Sequence, residues 1–385
     1  MAIRYETAGE SHGKMLVGII KNIPAGLYID SEFVNGELSR RMLGFGRGGR
    51  MKIERDTAEF VTGVRGHLSL GSPITAIIHN RDFENWFDIM GENATESGMK
   101  QKRVTAVRPG HADLSGAIKY GFTDARNVLE RASARETATK VALGAVAKLY
   151  LRELGITVES HTVAIGGVKA PAISDFNNIN ARADVDPVRC LDGNSSQKMV
   201  ELITNTAKSG DTLGGVSEII VTGVKSGIGS YVSADRKLDG LIMREVGAVQ
   251  AVKAVEIGDG IENSSRFGSQ VHDEIFMSDG KFSRKTNRAG GIEGGMTNGE
   301  PIIVRAYIKP IPTLKNGLNT VDIATGKATK AASERSDVCA VAAAGVVCEA
   351  AVALALIEAI SDMLGGDTMD EVVSRYNDKK GVKYE

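Results

Sequence analysis

Cysteine is scarce: three residues (Cys190, Cys339, Cys348) in a chain of 385, with no C-x-x-C spacing. That usage offers neither a disulfide framework nor a structural zinc site, and it fits a reducing compartment. Net charge is scarce too. The 47 Lys and Arg against 48 Asp and Glu leave a formal −1, so no global field gathers the chain onto DNA or anionic lipid, and anion recognition must be local. Aromatic residues are 5%, too few for a surface on which RNA bases stack. The first residues, MAIRYETAGESHG, hold no apolar signal core, so a cytoplasmic location is expected. No G-x-x-x-x-G-K-[ST] occurs, which disfavours nucleotide-driven chemistry. No Pro/Ser/Gly tract or charge block interrupts the chain, and residues 1–385 are expected to form a single domain.

Glycine, by contrast, is abundant. The 45 residues are about 12% of the chain, against a usual ~7%. Many fall in polar clusters such as GFGRGGRM (Gly44–Met51) and AGGIEGGMTNG (Ala289–Gly299), loops in which backbone approaches a ligand closely. Strands are expected at Met15–Ile23, Ala58–Val64, Ile74–His79, Arg103–Val107, Ile156–Ile165, Val216–Val224, Ala251–Ile257 and Ile302–Ile308. Helices are expected at Ser31–Leu43, Ser133–Leu154, Ser196–Lys208, Ala234–Val246 and Ser333–Leu364. The longest apolar run, Val338–Leu356, is mostly Ala, Val, Gly and Cys and is broken by Glu349, which reads as a closely packed central helix rather than a membrane span. The mixture lacks regular βαβ repetition, so the fold class is α+β.

The chain also echoes itself. ASAR (Ala132–Arg135) returns as ASER (Ala332–Arg335) 200 residues later, each ahead of an Ala-rich helix. VRPGH (Val107–His111) and IKPIP (Ile308–Pro312), 201 apart, each close a strand with a basic residue and proline. Two related halves are implied, with the pseudo-repeat around 105–155 and 305–364. Ser133 with Arg135, and Ser333 with Arg335, then stand at helix N-termini, where free N–H groups and the helix dipole favour an anion.

Four short patterns bear on chemistry. GESHG (Gly9–Gly13) satisfies G-x-S-x-G, but the segment after it, Lys14–Pro24, reads as a strand, so Ser11 lacks the strand-to-helix elbow of a hydrolase nucleophile. GFGRGG satisfies G-x-G-x-x-G, yet a helix rather than a strand precedes it, and the dinucleotide fingerprint fails. Arg40, Arg41, Arg47, Arg50, Arg131, Arg135 and Arg335 crowd glycine loops and helix starts, a pattern suited to a small polyanion, with Arg40 and Arg103 read as solvated surface residues. His12 and His111 sit in turns beside glycine and cations, where an imidazole can exchange a proton near neutral pH. Neither has partners at a metal-ligand spacing, and no metal is expected.

GESHG, GRGGRM, RPGHAD (Arg108–Asp113), RASARETA (from Arg131), KPIPT (Lys309–Thr313) and ERSD (Glu334–Asp337) occur in the order shown by the chorismate synthase family. The chain closely resembles that family from Tyr5 to about Ile360. The resemblance implies a β-α-β sandwich, helices held between two antiparallel sheets in pseudo-symmetric halves, assembled as a homotetramer. It implies a lyase that converts 5-enolpyruvylshikimate 3-phosphate to chorismate by 1,4-anti-elimination of phosphate and a C6 proton. That is the last common step toward aromatic compounds, and it uses reduced FMN with no net redox change. Under the resemblance, His12 protonates the leaving phosphate, His111 manages a proton at the flavin N1/C2 edge, and Asp337 helps move the proton at flavin N5. Arg41, Arg47, Arg50, Arg135 and Arg335 bind substrate anions, with Ser11 a hydrogen-bonding neighbour. Arg131, Ala132, Ser133, Gln250, Ala251, Gly294, Lys309, Pro310, Ile311, Pro312, Thr313 and Arg335 match stretches that hold FMN. RASAR stands where many members read RSSAR, so only the backbone role of Ala132 carries over. NADPH is implied only if the chain reduces its own flavin; 385 residues without a long insertion favour a separate flavin reductase.

Overall fold

The computed structural model describes residues 1–47, 56–278, 281–332 and 337–378. Its first sheet holds β1 (Arg4–Ala8), β2 (Met15–Lys21), β3 (Glu59–Thr62) and β4 (Ile74–His79) in the order β1-β2-β4-β3, every neighbour antiparallel. In β2 the period-2 pattern turns Leu16 and Ile20 inward to full burial. Gly18 lies between them. A Cβ there would stand 3.0 Å from Leu143, so a helix rests directly on this strand. Between β2 and β3 runs α1 (Ser31–Met42), capped by Asp30, whose carboxylate accepts from the amides of Glu32 and Phe33. Arg40 and Arg41 occupy its last turn, where cations complement the helix dipole.

Two short helices, α2 (Asp113–Tyr120) and α3 (Arg126–Ala132), lead into the long α4 (Thr137–Glu153). The second sheet comes next: β5 (Thr157–Ile165), β6 (Val168–Lys169), β7 (Gly215–Thr222), β8 (Val252–Ile257) and β9 (Ile302–Ile308), in the antiparallel order β8-β9-β7-β5-β6. Helix α5 (Gly193–Ser209) precedes β7, and α6 (Leu238–Gly247) precedes β8. The chain closes with α7 (Val341–Leu364) and α8 (Met369–Asn377).

Helix α4 packs on β2 and β4 of the first sheet, α7 packs on β5 and β7 of the second, and the two helices pack on each other. Their crossing is close: a Cβ on Gly144 would lie 2.3 Å from that of Ala350. Among the described residues the fold is therefore α+β, with two main antiparallel sheets of four and five strands beside small two-stranded ribbons. Among the described residues α7 is the one helix long and apolar enough to cross a membrane, and its most apolar stretch is 94% buried inside the protein.

Charge is buried at this crossing. Glu349 of α7 is wholly inaccessible and accepts from both terminal nitrogens of Arg40 at 2.9 Å, from Lys148, from Ser160 and from Arg189 at 3.3 Å. Burial alone would raise its pKa, but the Arg40, Lys148 and Arg189 cations hold it well below the usual carboxylate range. Glu37 and Asp184 balance the remaining charge of these same three cations, so Arg40, expected at the solvated surface, is instead a member of the internal charge cluster.

Several boundaries differ from the sequence expectation. Arg103–Val107 forms no strand: Val104 and Val107 pack with Ala125 and Leu129 in a small separate cluster, and Ala106 makes only an isolated bridge to Asp322. Pro109, two residues on, has no amide to extend a ladder. The last long helix starts at Val341 rather than Ser333, because the backbone just before it is engaged elsewhere. The Val338 amide donates to Gly46 O at 2.8 Å, and Cys339 bridges to Leu213; Ser333 itself lies outside the described residues. At Ser133 the order is a 3-10 turn, Ala134–Glu136, and then α4. The expected helix from Ala234 likewise divides into a 3-10 turn, Ala234–Arg236, and α6. Strand β8 begins at Val252 because Ala251 adopts φ +71°.

Candidate active site

GESHG is the turn from β1 to β2, strand to strand, and so offers no hydrolase elbow. Gly9 takes φ +103°, and a Cβ there would sit 2.4 Å from Met15 O, which no side chain tolerates. Two residues brought by other elements hold the turn. Asn80, just after β4, donates its side-chain amide to Glu10 O (3.2 Å) and Gly13 O (2.7 Å). Glu130 of α3 accepts the Ser11 amide on its main-chain carbonyl (3.0 Å) and the His12 amide on its carboxylate (2.9 Å). Ser11 is buried, and the Ser133 hydroxyl donates to its Oγ at 3.3 Å.

His12 and His111 share one design. The Nδ1 of His12 lies 3.0 Å from both oxygens of Glu130, which also accepts from Arg126 Nη1 at 2.8 Å. Trp86 stacks on the imidazole at 3.8 Å. The Nδ1 of His111 lies 2.5 Å from Asp113, the fully buried first residue of α2, which also accepts from Arg108 Nε at 2.8 Å and from the Arg108 amide at 3.1 Å. Burial would raise both carboxyls, but for each the hydrogen bonds from its histidine and arginine outweigh that and lower it, Asp113 to well below the carboxylate range.

The arginines are tethered at the cavity wall. Arg135 donates Nη1 to both oxygens of Asp56 (2.7 and 2.6 Å) and Nε and Nη2 to Asn80 Oδ1 (3.1 and 2.9 Å). Arg41 bonds Thr137 Oγ1 and Ala134 O, each at 3.0 Å, and approaches Asp56 at 3.5 Å. Arg47, beside Gly46 at φ +86°, pairs with Asp337 at 2.9 Å. The two echoing turns also meet: Lys309 donates to Gly110 O, and Arg108 Nη1 donates to Thr313 Oγ1 at 3.2 Å. Burial and the Lys253 ammonium lower the pKa of Lys309.

These groups surround a cavity of about 430 Å³, within the size range of small-molecule sites. Ser11, His12, His111, Arg41, Arg47, Arg135 and Asp337 all line it. So do Ala132, Ser133, Gln250, Ala251, Lys309, Ile311, Pro312 and Thr313. Ala251, in a left-handed conformation unusual for a residue with a Cβ, turns there so that its carbonyl accepts the Lys309 amide at 2.9 Å. An apolar part of the wall comes from Ala340, just before α7, and from Ala343, Ala344 and Val347 of α7. Arg131, Gly294 and Pro310 are not brought to the cavity. Arg131 donates instead to Thr7 O (2.8 Å) and Gly9 O (3.2 Å), and Gly294 turns the hairpin Ile292–Glu293/Met296–Thr297. Arg50 and Arg335 lie outside the described residues.

The residues that sequence reasoning passed over are the supports: Asp56, Asn80, Trp86, Arg108, Asp113, Arg126 and Glu130. Asp113 had a signal, two places after His111 in RPGHAD. Glu130 and Asn80 had none for their place at the GESHG turn, being distant in sequence from it.

Two carboxylate-backed imidazoles, several guanidinium groups and an apolar wall are groups suited to exchanging protons with a small polyanion. The comparisons with known proteins narrow that chemistry to a lyase. Residues 3–361 match the family model described as chorismate synthase. The chain is 52% identical over 371 residues to a chorismate synthase of Syntrophotalea carbinolica, covering 96% of each. It is 52% identical over 373 residues to one from Geobacillus sp. strain WCH70, again covering 96% of each. A crystal structure of chorismate synthase superimposes with a TM-score of 0.79 at 39% identity, covering 98% of this chain and 97% of the other. The chain belongs to the chorismate synthase family.

Proposed function

We propose that the chain eliminates phosphate from 5-enolpyruvylshikimate 3-phosphate to give chorismate, by 1,4-anti-elimination with reduced FMN and no net redox change. The observation that carries this reading is that His12 and His111, each with Nδ1 on a buried carboxylate, face the same arginine-walled cavity. A substrate with one phosphate and two carboxylates matches the guanidinium groups of Arg41, Arg47 and Arg135, to which Arg50 and Arg335 are added from the resemblance. The remaining donors fit a flavin. Ala132, Val249, Ala251 and Pro312 offer an apolar surface to a ring system, while Ser133, Gln250, Lys309 and Thr313 offer donors to its polar edge and phosphate. Reduced FMN held there would supply electron density to the breaking C–O bond without net oxidation.

The chain's own residues then have distinct duties. His12 gives a proton to the departing phosphate, and His111 holds one for the cofactor edge. Asp337 helps move the proton at the flavin N5 position; substrate that claims Arg47 releases Asp337 from its ion pair. The apolar wall of α7 excludes water from the breaking bond. Pseudo-symmetric halves forming a β-α-β sandwich are supported by the meeting of the 108–111 and 309–313 turns and by Lys148 and Glu349, paired across the α4–α7 crossing 201 residues apart. A single domain, a cytoplasmic homotetramer and a separate flavin reductase, with no requirement for NADPH, complete the proposal.

The test is an anaerobic assay of phosphate and chorismate with chemically reduced FMN, repeated with NADPH and oxidised FMN. Product under the first condition alone is expected. Product under both assigns an intrinsic reductase, and product under neither, from folded protein, refutes the reading.

A further inference from the structure

The His12 arrangement contains more than an acid. Both oxygens of Glu130 are filled by donors: Nδ1 of His12, the His12 amide and Arg126 Nη1. An ionised carboxylate only accepts, so the Nδ1 proton belongs to the ring. That proton is committed to Glu130, one ring face is covered by Trp86, and the ring lines the cavity. Nε2 is the atom left to exchange a proton. Arg126 serves twice, clamping Glu130 and lying 5.2 Å above the Trp86 ring, while Lys102 lies 5.6 Å from the same ring. Glu130 itself is 1% exposed and lies behind His12 and Ser11 rather than among the residues that line the cavity.

We propose that Glu130 is a positioning residue for the reaction, which by fixing His12 as the Nδ1–H tautomer makes Nε2 the single atom that protonates the leaving group. This rests on the elimination proposed above. A carboxylate that merely filled space at this point would need neither the bifurcated approach to Nδ1 nor a second bond to the same residue's amide. Together these fix the ring's two torsions against the main chain. The arginine keeps the carboxylate an acceptor throughout the cycle, so the proton lost by Nε2 is not replaced from Glu130.

The test uses the full chain and four variants: Glu130→Gln, Glu130→Asp, His12→Ala and the double variant His12→Ala/Glu130→Gln. Gln keeps the shape but must turn an NH₂ toward donors. Asp keeps the charge but draws it back by one methylene, and serves if the Gln variant does not fold. With reduced FMN and substrate, either Glu130 variant is expected to lower kcat about 10–100-fold at nearly constant KM, less than loss of the acid itself. In the His12→Ala background the Gln substitution is expected to cost no more than about 2-fold, since residues acting as a unit are not additive. Trp86, the only tryptophan, gives a readout independent of turnover. Its emission is expected to differ between the parent and Glu130→Gln as the stacked ring loosens, and to differ much less in His12→Ala with and without the second change, where Arg126 alone links Glu130 to Trp86.

A full additive loss in the His12→Ala background, or unchanged kcat and emission in both folded Glu130 variants, overturns the proposal. Failure of the underlying reading looks different: the parent makes no chorismate, or His12→Ala turns over as the parent does. The Trp86 comparison still decides in that case whether Glu130 positions the ring.

Discussion

Glu349→Gln is the sharpest test of the framework that carries the site. The buried cluster holds three cations (Arg40, Lys148, Arg189) against three carboxylates (Glu37, Asp184, Glu349), with Glu349 at its centre. Gln preserves the volume and removes one negative charge, so a net positive charge is left where water does not reach. Its NH₂ must also face either the Arg40/Lys148 side or the Arg40/Arg189 side, donor against donor. Removing one partner from a buried ion pair costs about 3–5 kcal/mol. At about 2.1 cal/mol/K per residue, 385 residues unfold with an entropy of about 0.8 kcal/mol/K, so the melting temperature should fall by about 4–6 °C. Differential scanning calorimetry measures it directly. Lys148→Met restores the balance, and the double variant should recover at least about 1 kcal/mol relative to additivity. A cooperative transition displaced by less than about 1 °C in the single variant, or strict additivity in the double, refutes the idea that this cluster is dry and mutually dependent.

Replacing His12 or His111 with Ala should lower kcat by about 10²–10⁴-fold while the circular dichroism spectrum and melting temperature stay near the parent's. Arg47→Ala should raise the KM for substrate much more than the Kd for FMN, measured by flavin fluorescence; an equal loss of both places this loop elsewhere. Stability should decline in acid. Asp113, Glu130, Glu349 and Glu218, a buried residue of β7 bonded to His161 and Arg305, all have lowered pKa values in the folded chain, so their contribution is complete above the unfolded value of about 4 and is lost as pH falls below it. Urea midpoints that hold constant from about pH 6 to about pH 3 contradict that sign.

The sequence carried the reactive groups and withheld their supports, for a physical reason. GESHG, RPGHAD and KPIPT are local: glycine and proline enforce turns, and the functional side chain lies inside the turn itself. Glu130, Asn80 and Asp56 act across gaps of 118, 67 and 79 residues, so no window around them reveals the site group each one holds. The same distinction explains the fold. Strands such as Ile302–Ile308 were legible because one face is buried and period 2 survives in the sequence. Arg103–Val107 shows an alternation that resembles a strand but serves a small cluster under α3. The helix expected from Ser333 begins only at Val341, because the bonds of Val338 and Cys339 to Gly46 and Leu213 are tertiary.

Helix α7 is both a wall of the cavity and the bearer of Glu349. Ala340, Ala343, Ala344 and Val347 face the cavity, and the next residues along enter the charge cluster that ties α7 to α1, α4 and β5. Sliding the helix by a turn, or rolling it, would strip Glu349 of every cation at once, so this wall behaves like a keyed shaft with one seated position. A ligand therefore cannot gain room by displacing it. Selection by shape falls to this fixed face and adjustment to the turns opposite, so a larger side chain at Ala343 or Ala344 takes its space from the ligand rather than from the protein.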